Sequence, residues 1–166
     1  MRKYGSFFLS LLFVLVAVSM SGCANLGQNP AGVYGVGGSL DSIPLSDRFQ
    51  GGTEHPGLFP PVYFAYDSSQ VVESERSKVE AVSRHLKQNS SVAVIIEGHC
   101  DERGSREYNL ALGERRALAV RAYLAGLGVG VDRIQTKSYG EENPSVPGHD
   151  EESWARNRRG EFVLYY

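Results

Sequence analysis

The stretch that most constrains this chain runs from Val92 to Val120, VAVIIEGHCDERGSREYNLALGERRALAV. Val92 to Ile96 is a short β-branched apolar run, the pattern of a strand covered on both faces. Glu97 to Ser105 is too polar and glycine-containing to continue it, so a charged loop follows, carrying His99, Asp101, Glu102 and Arg103. A helix is expected from about Arg106 to Gly126. Asn109 and Arg116 are seven residues apart in it, which at 3.6 residues per turn places them on one side, two turns apart. A loop carboxylate, a helix amide and a helix guanidinium can thus converge on one spot. That combination suits a small zwitterion, because Asp accepts from an ammonium and Arg grips a carboxylate. The plainer alternative is that Asp101 caps the loop and Arg116 is its structural ion-pair partner. Spacing leaves both open.

The flanking segments give the remaining elements. Pro61 to Tyr66 alternates as a first strand and Asp67-Ser68-Ser69 ends it with turn chemistry. Glu73 to Gln88 is an amphipathic helix whose Val79, Val82 and Leu86 fall on one face. Arg133 to Tyr139 and Gly160 to Tyr166 read as two further strands, separated by a proline-containing loop and a short helical turn over Trp154 to Arg159. The order predicts an α+β sandwich, β-α-β-α-β-β, with two main helices packed on one face of a four-stranded mixed sheet. Gly113 inside the second helix costs about 1 kcal/mol against Ala. Either a ligand or a neighbouring backbone must approach it closely.

Ahead of the domain, residues 1–22 follow the export pattern. Arg2 and Lys3 precede an apolar segment, Phe7 to Val18, too short for a transmembrane helix. Ser21-Gly22-Cys23 then resembles a bacterial lipoprotein processing site, with Met20 where that pattern usually has Leu. On this reading Cys23 carries acyl chains such as palmitate, and several chains hold a protein on a bilayer stably. Ala24 in place of Asp favours the outer membrane. Residues 23–59 are rich in Gly, Ser, Pro, Asn and Gln and read as a flexible tether, although Tyr34, Leu40, Ile43, Leu45 and Phe49 are more apolar than a spacer needs. Residues 60–166 form the domain. The 17 Lys and Arg against 19 Asp and Glu give no basic footprint for nucleic acid.

Two motifs, GHxDERGxxEYNxxLGERRAxAV and SYGxExPxxxGHDExxxxxNRR, recur in order across residues 60 to 166. They resemble the peptidoglycan-associated lipoproteins within the OmpA-like domain family. The resemblance implies the same sandwich and a non-catalytic site for the meso-diaminopimelate stem of peptidoglycan. In it Asp101 takes the ammonium and Arg116, rather than Arg115, clamps the carboxylate. Asn109 adds hydrogen bonds, Asp67 stands at the rim, and the loop backbone through Arg103 and Gly104 contributes N–H groups. His99, Gly113, Asn157 and Arg158 would support the pocket. The implied role is an outer-membrane lipoprotein, with its domain in the periplasm, tethering the membrane to the wall. The periplasmic propeller protein of the Tol system is an implied partner, and envelope integrity and cell division the implied setting. Neither cofactor nor metal is implied. A wall-anchoring subunit of a secretion or motility complex is the alternative. A metal-dependent wall hydrolase is less well supported: His99-x-Asp101 and His149-Asp150 offer ligands, but HExxH and CxxC are missing. Cys100 departs from the small residue or Thr usual in the family and reads as packing.

Overall fold

The computed structural model describes residues 52–166. The export segment, Cys23 and most of the expected tether lie outside the described residues. Within them the chain forms β1 (Glu54–Pro56), β2 (Val62–Tyr63), α1 (Glu73–Gln88), β3 (Ala93–His99), α2 (Arg106–Gly126), a 3₁₀ turn (Val131–Arg133), β4 (Ile134–Gly140), α3 (Glu151–Asn157) and β5 (Arg159–Tyr165). The sheet order is β1-β5-β3-β4, with β2 also paired to β5. β3 and β4 are parallel, and α2 is the crossover that a parallel pair requires. All pairings to β5 are antiparallel. The expected α+β architecture is therefore present, with one further strand. β1 and β2 lie end to end along the same edge of β5, so the sheet is four positions wide but built from five strands.

The core lies between the sheet and its two long helices. Val79, Val82 and Leu86 of α1 and Ala117, Val120 and Leu124 of α2 meet Val94, Ile96, Ile134, Phe162 and Leu164 of the sheet, all buried. Val79, Val82 and Leu86 are the stripe expected on the first long helix, and Val129, just past α2, also enters the core. The opposite face of the sheet carries a second, smaller apolar cluster of Ala93, Ile95, Val163 and Tyr165.

Among the described residues, two of the three α-helix starts are set by side chains, whereas α1 begins after Val72 without a side-chain cap. Ser105 caps α2 by accepting from the Tyr108 N–H at 3.2 Å, and Asp150 caps α3 by accepting from the Ser153 N–H at 2.8 Å. Gly113 is resolved as a packing residue. A Cβ on it would stand 2.8 Å from the Gly98 carbonyl oxygen, and a Cβ on Gly98 would stand 1.9 Å from the Gly113 carbonyl oxygen. The two glycines let α2 press against β3 backbone to backbone. That contact brings the first turns of α2 over the C-terminal end of β3, where the charged loop begins. No helix among the described residues is long and apolar enough to cross a membrane.

Candidate functional site

β3 ends in a register irregularity at Gly98/His99, and the chain turns through Cys100 to Gly104 into α2. A cavity of about 180 Å³ opens between this loop, the start of α2 and the turn after β2. Asp67, Asp101, Arg103, Gly104, Asn109 and Arg116 all line it, and so does Arg158. The loop carboxylate and the helix guanidinium do face one space. Its size suits the end of an amino acid rather than a whole drug-sized ligand.

Arg116 is fully buried, and its environment is richer than an ion pair. Nε donates to the Ser68 carbonyl at 2.8 Å. Nη1 donates to the His99 carbonyl at 2.8 Å and to the Cys100 sulfur at 3.2 Å. Nη2 donates to the Ala65 carbonyl at 3.2 Å. Four of the five guanidinium N–H groups are thereby engaged, and one Nη2 N–H remains. Arg116 thus ties the turn after β2 to the end of β3. It offers a ligand its charge and a single donor, not a free two-pronged fork. Burial lowers its pKa from the usual guanidinium value.

Asp101 is also nearly fully buried. Arg103 donates to it from its backbone at 3.0 Å and from its side chain at 3.1 and 2.7 Å. Arg158 adds a bond of 3.1 Å. Burial by itself would raise the Asp101 pKa, but the bonds from Arg103 and Arg158 outweigh it and hold the carboxyl below its ordinary value. Arg158 also donates to the Phe64 carbonyl at 3.1 Å and to Glu151 at 2.7 Å. It supports the pocket directly, linking β2, the loop and α3. Asn157 acts one step further out. Its amide accepts from the Ser145 and Val146 N–H groups and donates to the Val146 carbonyl, which shapes the loop between β4 and α3.

Asn109 donates through Nδ2 to the Asp101 and Arg103 carbonyls at 3.2 and 3.3 Å, and to Glu141. Asp67, at φ 49°, accepts from the Tyr108 hydroxyl and stands at the exposed rim. Gly104, at φ 119°, makes the turn that lets the loop return to α2. Arg115, about 100° round the helix from Arg116, is exposed and lies 5.6 Å from the Tyr108 ring centroid.

Several cavity residues were not foreseen. Tyr66, Tyr108 and Leu112 line the wall, and Arg103 is held between the Tyr66 and Trp154 rings, 4.1 Å from each centroid. The lone Trp of the chain was the available signal. It sat in a segment whose partner loop lies some fifty positions earlier, where sequence periodicity has no reach. Cys100 is buried as expected. Its thiol donates to the Asn109 carbonyl at 3.3 Å, and burial pushes its pKa up.

His149 and Asp150 do not join His99 or Asp101. His149 pairs with Glu102 at 2.7 Å, which raises the imidazole pKa and lowers that of the carboxylate. The His99 ring is stacked on Tyr139 at a centroid distance of 5.2 Å, while its carbonyl serves Arg116. His99 thus fixes the loop through its backbone.

Comparison with known proteins places the chain in a family. Residues 63–158 match the OmpA family. A peptidoglycan-associated lipoprotein of Pseudomonas aeruginosa is 41% identical over 98% of both chains. Relatives of the same name from Legionella pneumophila and Haemophilus influenzae are 39% identical over 97% of both chains and 36% identical over 96% of this chain and 98% of the other. The crystal structure of the peptidoglycan-associated lipoprotein from Burkholderia pseudomallei superposes with a TM-score of 0.61 at 44% identity, covering 63% of this chain and 88% of that one. The C-terminal domain of Helicobacter pylori MotB shares the fold, at 22% identity and a TM-score of 0.59 over 63% of this chain and 83% of its own. The sequence relatives are named as peptidoglycan-associated lipoproteins, not as enzymes. The chain belongs to the OmpA family, among the peptidoglycan-associated lipoproteins.

Proposed function

We propose that the cavity takes the zwitterionic end of meso-diaminopimelate in a peptidoglycan stem, and that the protein ties the outer membrane to the wall through lipid on Cys23. The observation that carries this reading is the shared cavity of Asp101, Asn109 and Arg116. Three guanidinium groups, Arg103, Arg116 and Arg158, face it with two carboxylates, Asp67 and Asp101. That balance favours a ligand bearing carboxylate over a purely cationic one. Asp101 is already neutralised by two arginines, so Asp67 and Asn109 are the natural acceptors for the ammonium. The remaining Arg116 N–H and the loop donors take the carboxylate. The full-length relatives are named for association with peptidoglycan, which supports the same ligand.

The test varies the ligand rather than a buried residue. Titration of the full chain with a diaminopimelate-containing tripeptide should give saturable binding. The matching lysine-containing tripeptide lacks the side-chain carboxylate and should bind at least tenfold more weakly. Equal affinity for the two would overturn the assignment. In the same reading the periplasmic propeller protein of the Tol system is a partner. A pull-down from envelope extract that recovers secretion or motility components instead would move the protein to another wall-anchored machine.

A further inference from the structure

The face of the sheet turned away from α1 and α2 holds a polar cluster that the wall site does not use. Glu97 of β3 and Glu161 of β5 stand directly opposite each other in the antiparallel register. Like charges in that position repel and destabilise a sheet. His99, on the same strand as Glu97, is fully buried; neither ring nitrogen has a hydrogen-bond partner of good geometry, and the polar group its ring approaches is the Asn143 backbone. A buried ring so weakly partnered is costly. Among the described residues, Glu97, His99 and Glu161 are the only group of three or more His, Cys, Asp or Glu side chains whose ligand atoms gather in this way, all within 4.8 Å of one another.

We propose that Glu97, His99 and Glu161 form a binding site for one divalent transition-metal ion, of which zinc is the representative. One imidazole nitrogen and two carboxylate oxygens are a usual donor set for such an ion, with water completing the shell. Donors around tetrahedral zinc lie about 3.4 Å apart, so the two glutamates close the span by side-chain rotation. Both are only partly buried, which gives an ion access from solvent. Arg159 donates to one oxygen of Glu161, leaving the other. Lys137 neighbours Glu97 and is exposed; its Nζ lies 4.1 Å from the Tyr139 ring centroid and donates to the Tyr139 hydroxyl, and that hydroxyl also hydrogen-bonds Glu97, so an ion would have to displace this pair. Glu54 also acts on Glu97, so three carboxylates face two cations here and a dication would improve the balance. The ion would anchor the end of β3, whose His99 carbonyl receives Arg116.

Titrating zinc chloride into the full chain by calorimetry tests this. One equivalent should bind with a dissociation constant in the micromolar range or tighter, and the melting temperature should rise. Glu161→Gln and His99→Gln should each weaken binding at least tenfold, whereas His149→Gln, at the exposed histidine near the wall site, should bind as the native chain does. If His99→Gln fails to fold, Glu161→Gln decides. Absence of saturable binding, undiminished affinity in Glu161→Gln, or loss of binding in His149→Gln would overturn the site.

Discussion

Arg116 shows how far a residue type underdetermines its work. Its place on one side of the helix with Asn109 was readable from spacing, while the family resemblance selected it over Arg115 and set it with Asp101. What spacing does not contain is how many of its donors the protein itself consumes. Three backbone carbonyls and a thiol take four of them, and those carbonyls come from segments about 50 and 17 positions upstream. Arg116→Lys keeps the charge but cannot span all four acceptors. Buried carbonyls would be left unpaired, at a cost of about 2–4 kcal/mol. Urea denaturation should show that loss in midpoint, along with weaker wall binding. Unchanged stability would return Arg116 to the role of a pure ligand clamp.

At the scale of elements, the apolar run of β3, the strand patterns of β4 and β5 and the apolar stripe of α1 were legible because they are local. β1 was not, because Glu-His-Pro has neither alternation nor apolar content and its pairing is dictated by the last strand, about 110 residues away. The short β2 falls inside the longer strand expected there, since Phe64 turns into the core and Ala65 to Asp67 serve the cavity. Gly113 illustrates a contest of magnitudes. Helix propensity alone says that Gly113→Ala gains about 1 kcal/mol. The added carbon would lie 2.8 Å from the Gly98 carbonyl oxygen and 2.3 Å from the Ser138 hydroxyl, and overpacking of this kind costs about 1–3 kcal/mol. The clash should win, so the variant melts lower than the native chain. Gly98→Ala, whose carbon would meet backbone at 1.9 Å, should lose more. A higher melting temperature for Gly113→Ala would show that α2 can lift off β3 at little cost.

Across the domain, the candidate cavity and the first described strand lie at opposite ends of the sheet. The wall cavity follows His99 at the C-terminal end of β3. At the other end Ala93 pairs with Tyr165, and Tyr165 with Glu54, so the polypeptide arrives about 20 Å from the ligand along the strand direction. Cys23→Ala should leave tripeptide affinity within about twofold of native while moving the protein out of the outer-membrane fraction. Retention in that fraction would mean that something other than the acylated cysteine holds it there.

The way the chain arrives has a mechanical corollary. Thr53 exchanges backbone hydrogen bonds with Tyr166, and only three residues of β1 follow before the edge of β5 is handed on to β2. Force transmitted from upstream meets that brief ladder first, well before it reaches β3 or the packed helices. Peeling residues 53–61 away would release about 30 Å of slack with the ligand end still assembled, so a stretched envelope would lengthen the connection before it broke it.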